Sequence, residues 1–211
     1  MLFKSGVDVY SSDTEKIGTL HRVVMDPKTK EVTHIVVKEG FFFTEDKVIP
    51  MDLVGSVTED RITLQGSKEH LDEFPEYEET HYVLPDEQAS NSVYWYPPID
   101  WGAAAGRYPA AFYPQAYYVK KTEKNIPEGM VALAEGAKVI SQDGDHIGSI
   151  ETLITDPKED RVTHVVISSG LLVRERKIIP AYWLDKVSDD EVHLAVESRL
   201  LERLPEYHPQ G

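Results

Sequence analysis

Hydrophobic and polar positions alternate along short runs of the chain, with the period of two that is typical of β-strands. Val7 to Tyr10 forms one such run, and others extend over about Lys16 to Met25, Thr33 to Val37 and Arg61 to Leu64. Asp26-Pro27-Lys28 lies between two of them and predicts a tight turn, because proline presets its backbone angle and aspartate accepts bonds from nearby amides. The runs leave no room for crossover helices, so they predict an antiparallel barrel or sandwich.

This pattern occurs twice in the sequence. Gly6 to Tyr77 aligns without a gap with Gly136 to Tyr207, so that each residue of the second copy lies 130 positions (136 − 6) after its counterpart. Both copies end in the same Pro-Glu-Tyr. Two like domains are therefore expected, with a first repeat over residues 1–80, a connector over 81–131 and a second repeat over 132–211.

A short helix is expected at the end of each copy, over about Ser67 to Phe74 and Glu197 to Leu204. Its apolar residues are three or four positions apart and share one face, and Pro75 and Pro205 end it. The predicted fold class is thus mainly β, with two small antiparallel β-barrels, each closed by a short C-terminal helix and joined by an aromatic, proline-rich connector.

Composition narrows the classes of function. The formal net charge of −15 over 211 residues gives a field that repels phosphate backbones, so nucleic-acid binding is disfavoured. The chain has no cysteine, which excludes disulfides and thiolate metal sites. No apolar run approaches the ~20 residues of a transmembrane helix, and no signal peptide is recognised, so a soluble cytoplasmic protein is expected.

Several motifs recur in both copies and identify a family. In the first copy they are Ile17-Gly18, Asp26-Pro27, Val32-Thr33-His34, Gly40 and Ile49-Pro50. In this order they resemble the PRC-barrel family, which includes the cytoplasmic domain of the photosynthetic reaction centre H subunit and the C-terminal domain of the ribosome maturation factor RimM. The resemblance covers both repeats but not the connector. It implies a small β-barrel that works as an adaptor and has no catalytic constellation of its own.

The polar residues that recur have structural interpretations. His34 and His164 lie on equivalent strands, and we expect each to be half-buried and bonded to a backbone carbonyl. The pairs Asp13 and Asp143, Asp26 and Asp156, and Asp60 and Asp190 all lie in predicted turns, where aspartate stabilises the backbone. We therefore expect no catalytic residue, no metal site and no cofactor, and the protein is predicted not to be an enzyme.

The connector is rich in aromatic residues, unlike a flexible spacer. Two readings stay open: the rings pack on the two barrels and fix their orientation, or they form a docking patch for a partner protein or a second copy of the chain. The candidate interaction residues are Tyr94, Trp95, Tyr96, Trp101, Tyr108, Phe112, Tyr113, Tyr117 and Tyr118.

Together these features predict a non-catalytic, soluble adaptor or structural protein that mediates protein–protein interaction through tandem PRC-barrel-like domains. Its protein partner is unidentified, and a homo-oligomer is a further option. The alternative is a peripheral component of a photosynthetic reaction centre or another membrane complex, without a transmembrane segment of its own. A ribosome or RNA maturation factor is a third alternative, which the acidic charge disfavours.

Overall fold

The computed structural model describes residues 1–39, 46–58, 60–83, 119–169 and 175–208. The first repeat contains strands β1 (Leu2–Lys4), β2 (Asp8–Tyr10), β3 (Lys16–Met25), β4 (Val32–Glu39), β5 (Asp46–Pro50), β6 (Val54–Val57) and β7 (Arg61–Leu64), a 3-10 helix (Met51–Leu53) and helix α1 (Lys68–Asp72). Strands β8 (Glu78–Val83) and β9 (Val119–Lys124) form a separate two-stranded sheet. The second repeat contains strands β10 (Val131–Ala134), β11 (Lys138–Ile140), β12 (His146–Asp156), β13 (Arg161–Ser169), β14 (Glu175–Pro180), β15 (Leu184–Val187) and β16 (Glu191–Leu194), a 3-10 helix (Ala181–Trp183) and helix α2 (Ser198–Glu202).

The two repeats form two seven-stranded sheets with the same strand order, so the predicted mainly β, tandem fold is confirmed. Sheet 1 has the order β5-β4-β3-β2-β7-β6 with β10 paired to β3, and sheet 2 has the order β14-β13-β12-β11-β16-β15 with β1 paired to β12. The helices predicted at the end of each copy are five residues long in the structure. Their role in closing each sheet stays a prediction.

One strand pair in each sheet departs from the antiparallel expectation. β2 pairs with β7 in parallel, and β11 pairs with β16 in parallel, whereas the other pairs within the sheets are antiparallel. The cause lies in the 3-10 helices, Met51–Leu53 and Ala181–Trp183. Each connects two strands, β5 to β6 or β14 to β15, without reversing the direction of the chain. The second strand of the hairpin that follows, β7 or β16, therefore runs parallel to β2 or β11.

Each repeat gives one strand to the sheet of the other. Strand β1, from the first repeat, pairs antiparallel with β12, and Phe3 lies opposite Leu153. Strand β10 pairs antiparallel with β3, and Leu133 lies opposite Val23. Since Phe3 and Leu133 are counterparts in the two copies, the exchange is reciprocal and follows the sequence repeat.

The β3–β4 and β12–β13 hairpins also join the repeats at their turns. Lys30 and Asp160 end these turns in the left-handed conformation, with φ of 64° and 48°. The amide of Val162 donates to the carbonyl of Lys30 at 2.9 Å, and the amide of Val32 donates to the carbonyl of Asp160 at 2.7 Å. The repeated Asp-Pro turn thus places two backbone acceptors where the other copy can bond them.

The exchange merges the interiors of the two sheets into one hydrophobic core. Phe3 and Leu133, on the exchanged strands, are each 2% exposed and belong to the same cluster as the interior valines, leucines and isoleucines of both sheets. The compact unit accordingly comprises Met1–Glu78 together with Lys124–Gly211, and Glu79–Glu123 forms a unit by itself. The domain limits predicted at residues 80 and 131 stay predictions.

The repeated Ile-Gly has a packing reason in the second sheet. Gly148 lies on β12 beside the backbone of β13, where a Cβ atom would come within 2.3 Å of the carbonyl oxygen of Ser168. Glycine is therefore required at this close approach of two backbones.

The shared core predicts that Phe3→Ala destabilises both repeats together. The substitution removes a fully buried ring between the two sheets and should lower the free energy of unfolding by about 3–5 kcal/mol. Leu133→Ala, its counterpart, should cost about 2–5 kcal/mol. Denaturant unfolding of each variant should follow a single transition by both circular dichroism and tryptophan fluorescence.

Tyr182→Ala is the control, because this side chain is 79% exposed and its removal should change stability by no more than about 0.5 kcal/mol. Two separate transitions, only one of them moved by Phe3→Ala, would show that the repeats fold independently.

Candidate functional site

The outer face of sheet 1 carries a second, smaller hydrophobic cluster. Five side chains form its floor, and each is at most 4% exposed: Val24, Val36, Val48, Tyr77 and Ala132. Ile126 and Met130 pack over them from the segment that leads into the exchanged strand β10. We call this the filled groove.

Backbone and amide hydrogen bonds anchor the segment that fills this groove. The amide nitrogen of Asn125 donates to the carbonyl of Tyr77 at 2.9 Å. The Asn125 side-chain Nδ2 donates to the carbonyl of Glu76 at 2.8 Å. The amide of Met130 bonds the carbonyl of Pro127 at 3.1 Å, which turns the chain back over the groove.

Two cations cover the ring of Tyr77. The guanidinium carbon of Arg22 lies 5.9 Å from the ring centroid, and Nζ of Lys124 lies 5.8 Å from it. Arg22 also donates to Asp190 at 3.2 Å, while Lys124 is paired with Asp189. The bond to Asp189 raises the pKa of Lys124 against the opposing effect of burial. Burial raises the pKa of the Tyr77 hydroxyl, so the ring stays neutral at physiological pH.

The equivalent face of sheet 2 is apolar but only partly covered. The counterparts of the five floor residues are Ile154, Val166, Ile178, Tyr207 and Leu2. Val166 is 3% exposed, but the other four are half-buried. We call this the open groove.

A cavity of about 190 Å³ lies in the open groove beside Leu2, Val166 and Tyr207. Thr152 also lines it, at the position where the first repeat has Arg22. The shorter side chain leaves the space that the arginine fills in the filled groove. Asp60, the counterpart of Asp190, lies at the rim.

The rim also carries a side-chain contact whose two partners lie on opposite strands in the two repeats. In the second repeat, Arg176 donates to Glu151 through Nη2 at 2.7 Å and Nε at 3.0 Å. The counterparts in the first repeat are Asp46 and His21, which also contact each other. Bonding to Glu151 raises the pKa of Arg176. The contact is thus kept, while the carboxylate and the nitrogen-bearing side chain exchange strands.

The two grooves share one main-chain bond, and a second one, from the amide of Val48 to the carbonyl of Pro75 at 3.0 Å, has no counterpart between the described residues Ile178 and Pro205. The amide of Tyr77 donates to the carbonyl of Asp46 at 2.6 Å, and the amide of Tyr207 donates to the carbonyl of Arg176 at 2.7 Å. Tyr77 then accepts from Asn125. No residue in the described part of the chain donates to the carbonyl of Tyr207 in the same way.

The recurring histidines differ from the expectation in their bonding. Nδ1 of His34 contacts the hydroxyl of Thr33 at 3.0 Å, and Nδ1 of His164 contacts the hydroxyl of Thr163 at 3.2 Å, so the neighbouring threonine takes the place of the predicted backbone carbonyl. His34 is half-buried, and this burial lowers its pKa; His164 is exposed.

The recurring aspartates stabilise turns and a helix start. Asp26 accepts bonds from the amides of Lys28 and Thr29, which lower its pKa. Asp143 accepts from the hydroxyl and the amide of Ser198 at 2.8 and 3.0 Å, at the first residue of α2. Bonds from Ser141 and Ser198 lower the pKa of Asp143 to about 2.

The nine connector aromatics proposed as interaction residues, Tyr94 to Tyr118, lie outside the described residues. Among the described residues no group of three or more histidines, cysteines or carboxylates could hold a metal ion. None of the described helices is long and apolar enough to cross a membrane.

The open groove was missed by the reasoning from sequence. The signal was present in the repeat alignment, where Arg22 and Thr152 differ in both size and charge. This difference has no functional meaning until the structure shows that the two residues lie at equivalent grooves.

Comparison with models of known protein families finds one match. The sequence model of the PRC-barrel domain matches the chain twice, at residues 5–71 and 134–198. No curated protein matches the chain.

The rim pair predicts that Arg176→Ala destabilises the second sheet. Glu151 is 9% exposed and would lose its cation, at a cost of about 1–3 kcal/mol in the free energy of unfolding. The double variant Glu151→His with Arg176→Asp copies the first repeat and should recover at least half of that loss. Urea unfolding at pH 7 measures both, and a double variant no more stable than Arg176→Ala would contradict the exchange of the two contacting side chains.

The low pKa of Asp143 predicts an acid-sensitive contribution to stability. A carboxyl whose pKa is lower in the folded chain stabilises it above the unfolded value near 3.8, and this contribution is lost as the pH falls towards about 2. Asp143→Asn should therefore lower the Tm at pH 7, and the difference from the natural chain should shrink between pH 4 and pH 2. Glu202→Gln, an exposed change on the same helix, is the control; a difference that is constant with pH would exclude the effect.

Proposed function

Because the chain belongs to the PRC-barrel domain family, we propose that it is a non-catalytic adaptor that binds another protein. The observation that carries this proposal is the difference between the two grooves. One is filled by the chain's own Ile126 and Met130, and its counterpart presents half-buried apolar side chains around a cavity. Apolar surface of this kind, rimmed by charged groups, is typical of a protein-binding site.

The rigid union of the two repeats supports this role. An adaptor needs a surface that keeps its shape when a partner docks, since ordering side chains on binding costs affinity. The floor of the open groove includes Leu2, from the exchanged strand β1, so both repeats build it. Binding there engages the united fold and not one repeat alone.

The proposal assigns no chemistry to the polar residues. Asp26, Asp143 and Asp156 accept bonds from the amides of their own turns or helix. General acid–base catalysis needs carboxyls that are free to exchange protons with a substrate. We therefore propose a protein that is not an enzyme, and we place it in the cytoplasm, as its cysteine-free composition suggests.

Affinity capture from the source cell tests the adaptor role with three variants of the full chain. Thr152→Arg places a long charged side chain in the cavity of the open groove, so it should reduce partner recovery at least tenfold. Thr29→Arg makes the same change of charge at an exposed turn position and should bind as the natural chain does.

Replacing Tyr94, Trp95, Tyr96 and Trp101 together by alanine tests the predicted connector surface in the same experiment. Loss of partners only in this variant would move the binding site to the connector. Equal recovery by all three variants would contradict the proposed adaptor role of these surfaces. Thermal unfolding of each variant verifies that it is folded.

A further inference from the structure

A separate cavity lies where the turn of the β3–β4 hairpin meets the second sheet. It has a volume of about 660 Å³ and opens to solvent between the turn at residues 27–30 and the 3-10 helix Ala181–Trp183. It shares no lining residue with the cavity of the open groove. We call it the basic cavity. We propose that it binds the phosphate group of a small molecule, a function that goes beyond the adaptor role and does not depend on it.

The basic cavity is positively charged in a chain whose net charge is −15. Three cationic side chains line it: Lys28, Lys30 and Arg161. Asp185 is the one carboxylate among the described residues of the lining. Because the field of the whole chain repels anions, an anion held in this cavity depends on these local cations.

The other copy of the repeat carries acidic residues at the positions equivalent to this cavity. Three lining residues have acidic counterparts: Lys30 has Asp160, Arg161 has Glu31 and Tyr182 has Asp52. The two prolines and the Val-Thr-His segment that line the cavity are identical in both copies. The second copy of these positions has therefore kept the residues that shape the backbone and has the opposite charge, so anion binding is specific to one of the two surfaces.

Lys30 is a buried donor held in place by the hairpin turn. Its side chain is 8% exposed, and its carbonyl accepts the amide of Val162 from the other repeat. Among the described residues its ammonium group has one acceptor, the carbonyl of Pro27, although a lysine has three N–H donors. Burial lowers the pKa of Lys30, against the opposing effects of Asp185 and Asp26. A bound phosphate accepts the remaining donors and stabilises the buried charge.

Arg161 and Lys28 are exposed and complete the set of cations. An isolated antiparallel bridge pairs Arg161 with Glu31, the residue after Lys30, which places β13 beside the turn. Nη1 of Arg161 lies 3.4 Å from Glu159, and these side chains are 52% and 62% exposed. Exposed pairs of this kind contribute little to stability, so a phosphate can replace the carboxylate, and guanidinium donates two parallel bonds to it.

The rest of the ligand is assigned from the size of the cavity and from Tyr182. Cavities of this volume hold small organic molecules, and the space exceeds what one phosphate fills. The Tyr182 side chain is 79% exposed at the wall, and its ring meets Trp183 edge to face with centroids 6.2 Å apart. An exposed ring beside a phosphate site offers a face on which a flat group stacks. The ligand class is thus a phosphate ester that carries a ring, such as a nucleoside monophosphate.

Two-dimensional amide NMR of the full chain at physiological salt tests the proposal with three probes: adenosine monophosphate, inorganic phosphate and adenosine. We expect saturable shifts centred on Lys30, Val162 and His164 with both phosphate probes, and none there with adenosine. The monophosphate should bind about tenfold more tightly than inorganic phosphate, and Tyr182→Ala should remove that difference. Equal affinities in the natural chain would retain the phosphate site and overturn the assignment of the ring.

A matched pair of charge reversals tests the cations. Lys28→Glu changes a lining residue and should weaken phosphate binding about fivefold or more. Lys158→Glu makes the same change at the equivalent exposed position of the other turn and should leave binding unchanged within about twofold. Lys30→Asp should weaken binding about tenfold or more. Its counterpart Asp160 has φ of 48°, so aspartate fits this turn conformation, and thermal unfolding verifies that each variant is folded.

Absence of saturable binding, shifts outside the basic cavity, or equal losses in Lys28→Glu and Lys158→Glu would overturn this inference. Thr152→Arg alters the open groove and should leave phosphate binding unchanged. Since the two cavities have no lining residue in common, failure of phosphate binding would leave the proposed adaptor function standing.

Discussion

The reciprocal exchange of two short strands is the constraint on which the rest of the structure depends. Strands β1 and β10 contain only three and four residues, yet each adds a strand to the other repeat's sheet and brings one large side chain into the common interior. A small domain has difficulty in burying enough apolar surface by itself. Joining two interiors through Phe3 and Leu133 meets that difficulty without disulfides, which agrees with a chain that has no cysteine.

The exchange also explains why the two outer faces can differ. Residues 125–130, which precede β10, cross the outer face of sheet 1, and Ile126 and Met130 pack against it there. The equivalent face of sheet 2 lies beside β1. The two sheets therefore share their interior packing, while their outer faces meet different surroundings and have different side chains at positions such as Arg22 and Thr152.

Much of the fold could be predicted from the sequence, because its signals are local. Alternation placed most strands, and Asp26-Pro27 placed the hairpin turn. The parallel pairing of β2 with β7 was not predicted, since it follows from a 3-10 helix with no strong sequence signature. The strand exchange was not predicted either, because three alternating residues pair equally well with either sheet and only the shared interior decides between them.

The open groove is recognised by comparing the two repeats of the chain and not by any sequence motif. A catalytic or metal site needs particular residue types at set positions, and these can be sought in a sequence. The open groove is made of ordinary apolar side chains, and Val166 or Ile178 has the pattern of any strand residue. The two grooves differ in what covers them and in the size of one neighbour. Ile126 and Met130 pack over the first groove, whereas four of the five equivalent side chains of the second are half-buried and Thr152 replaces Arg22. Differences between the copies therefore indicate function better than their identities do.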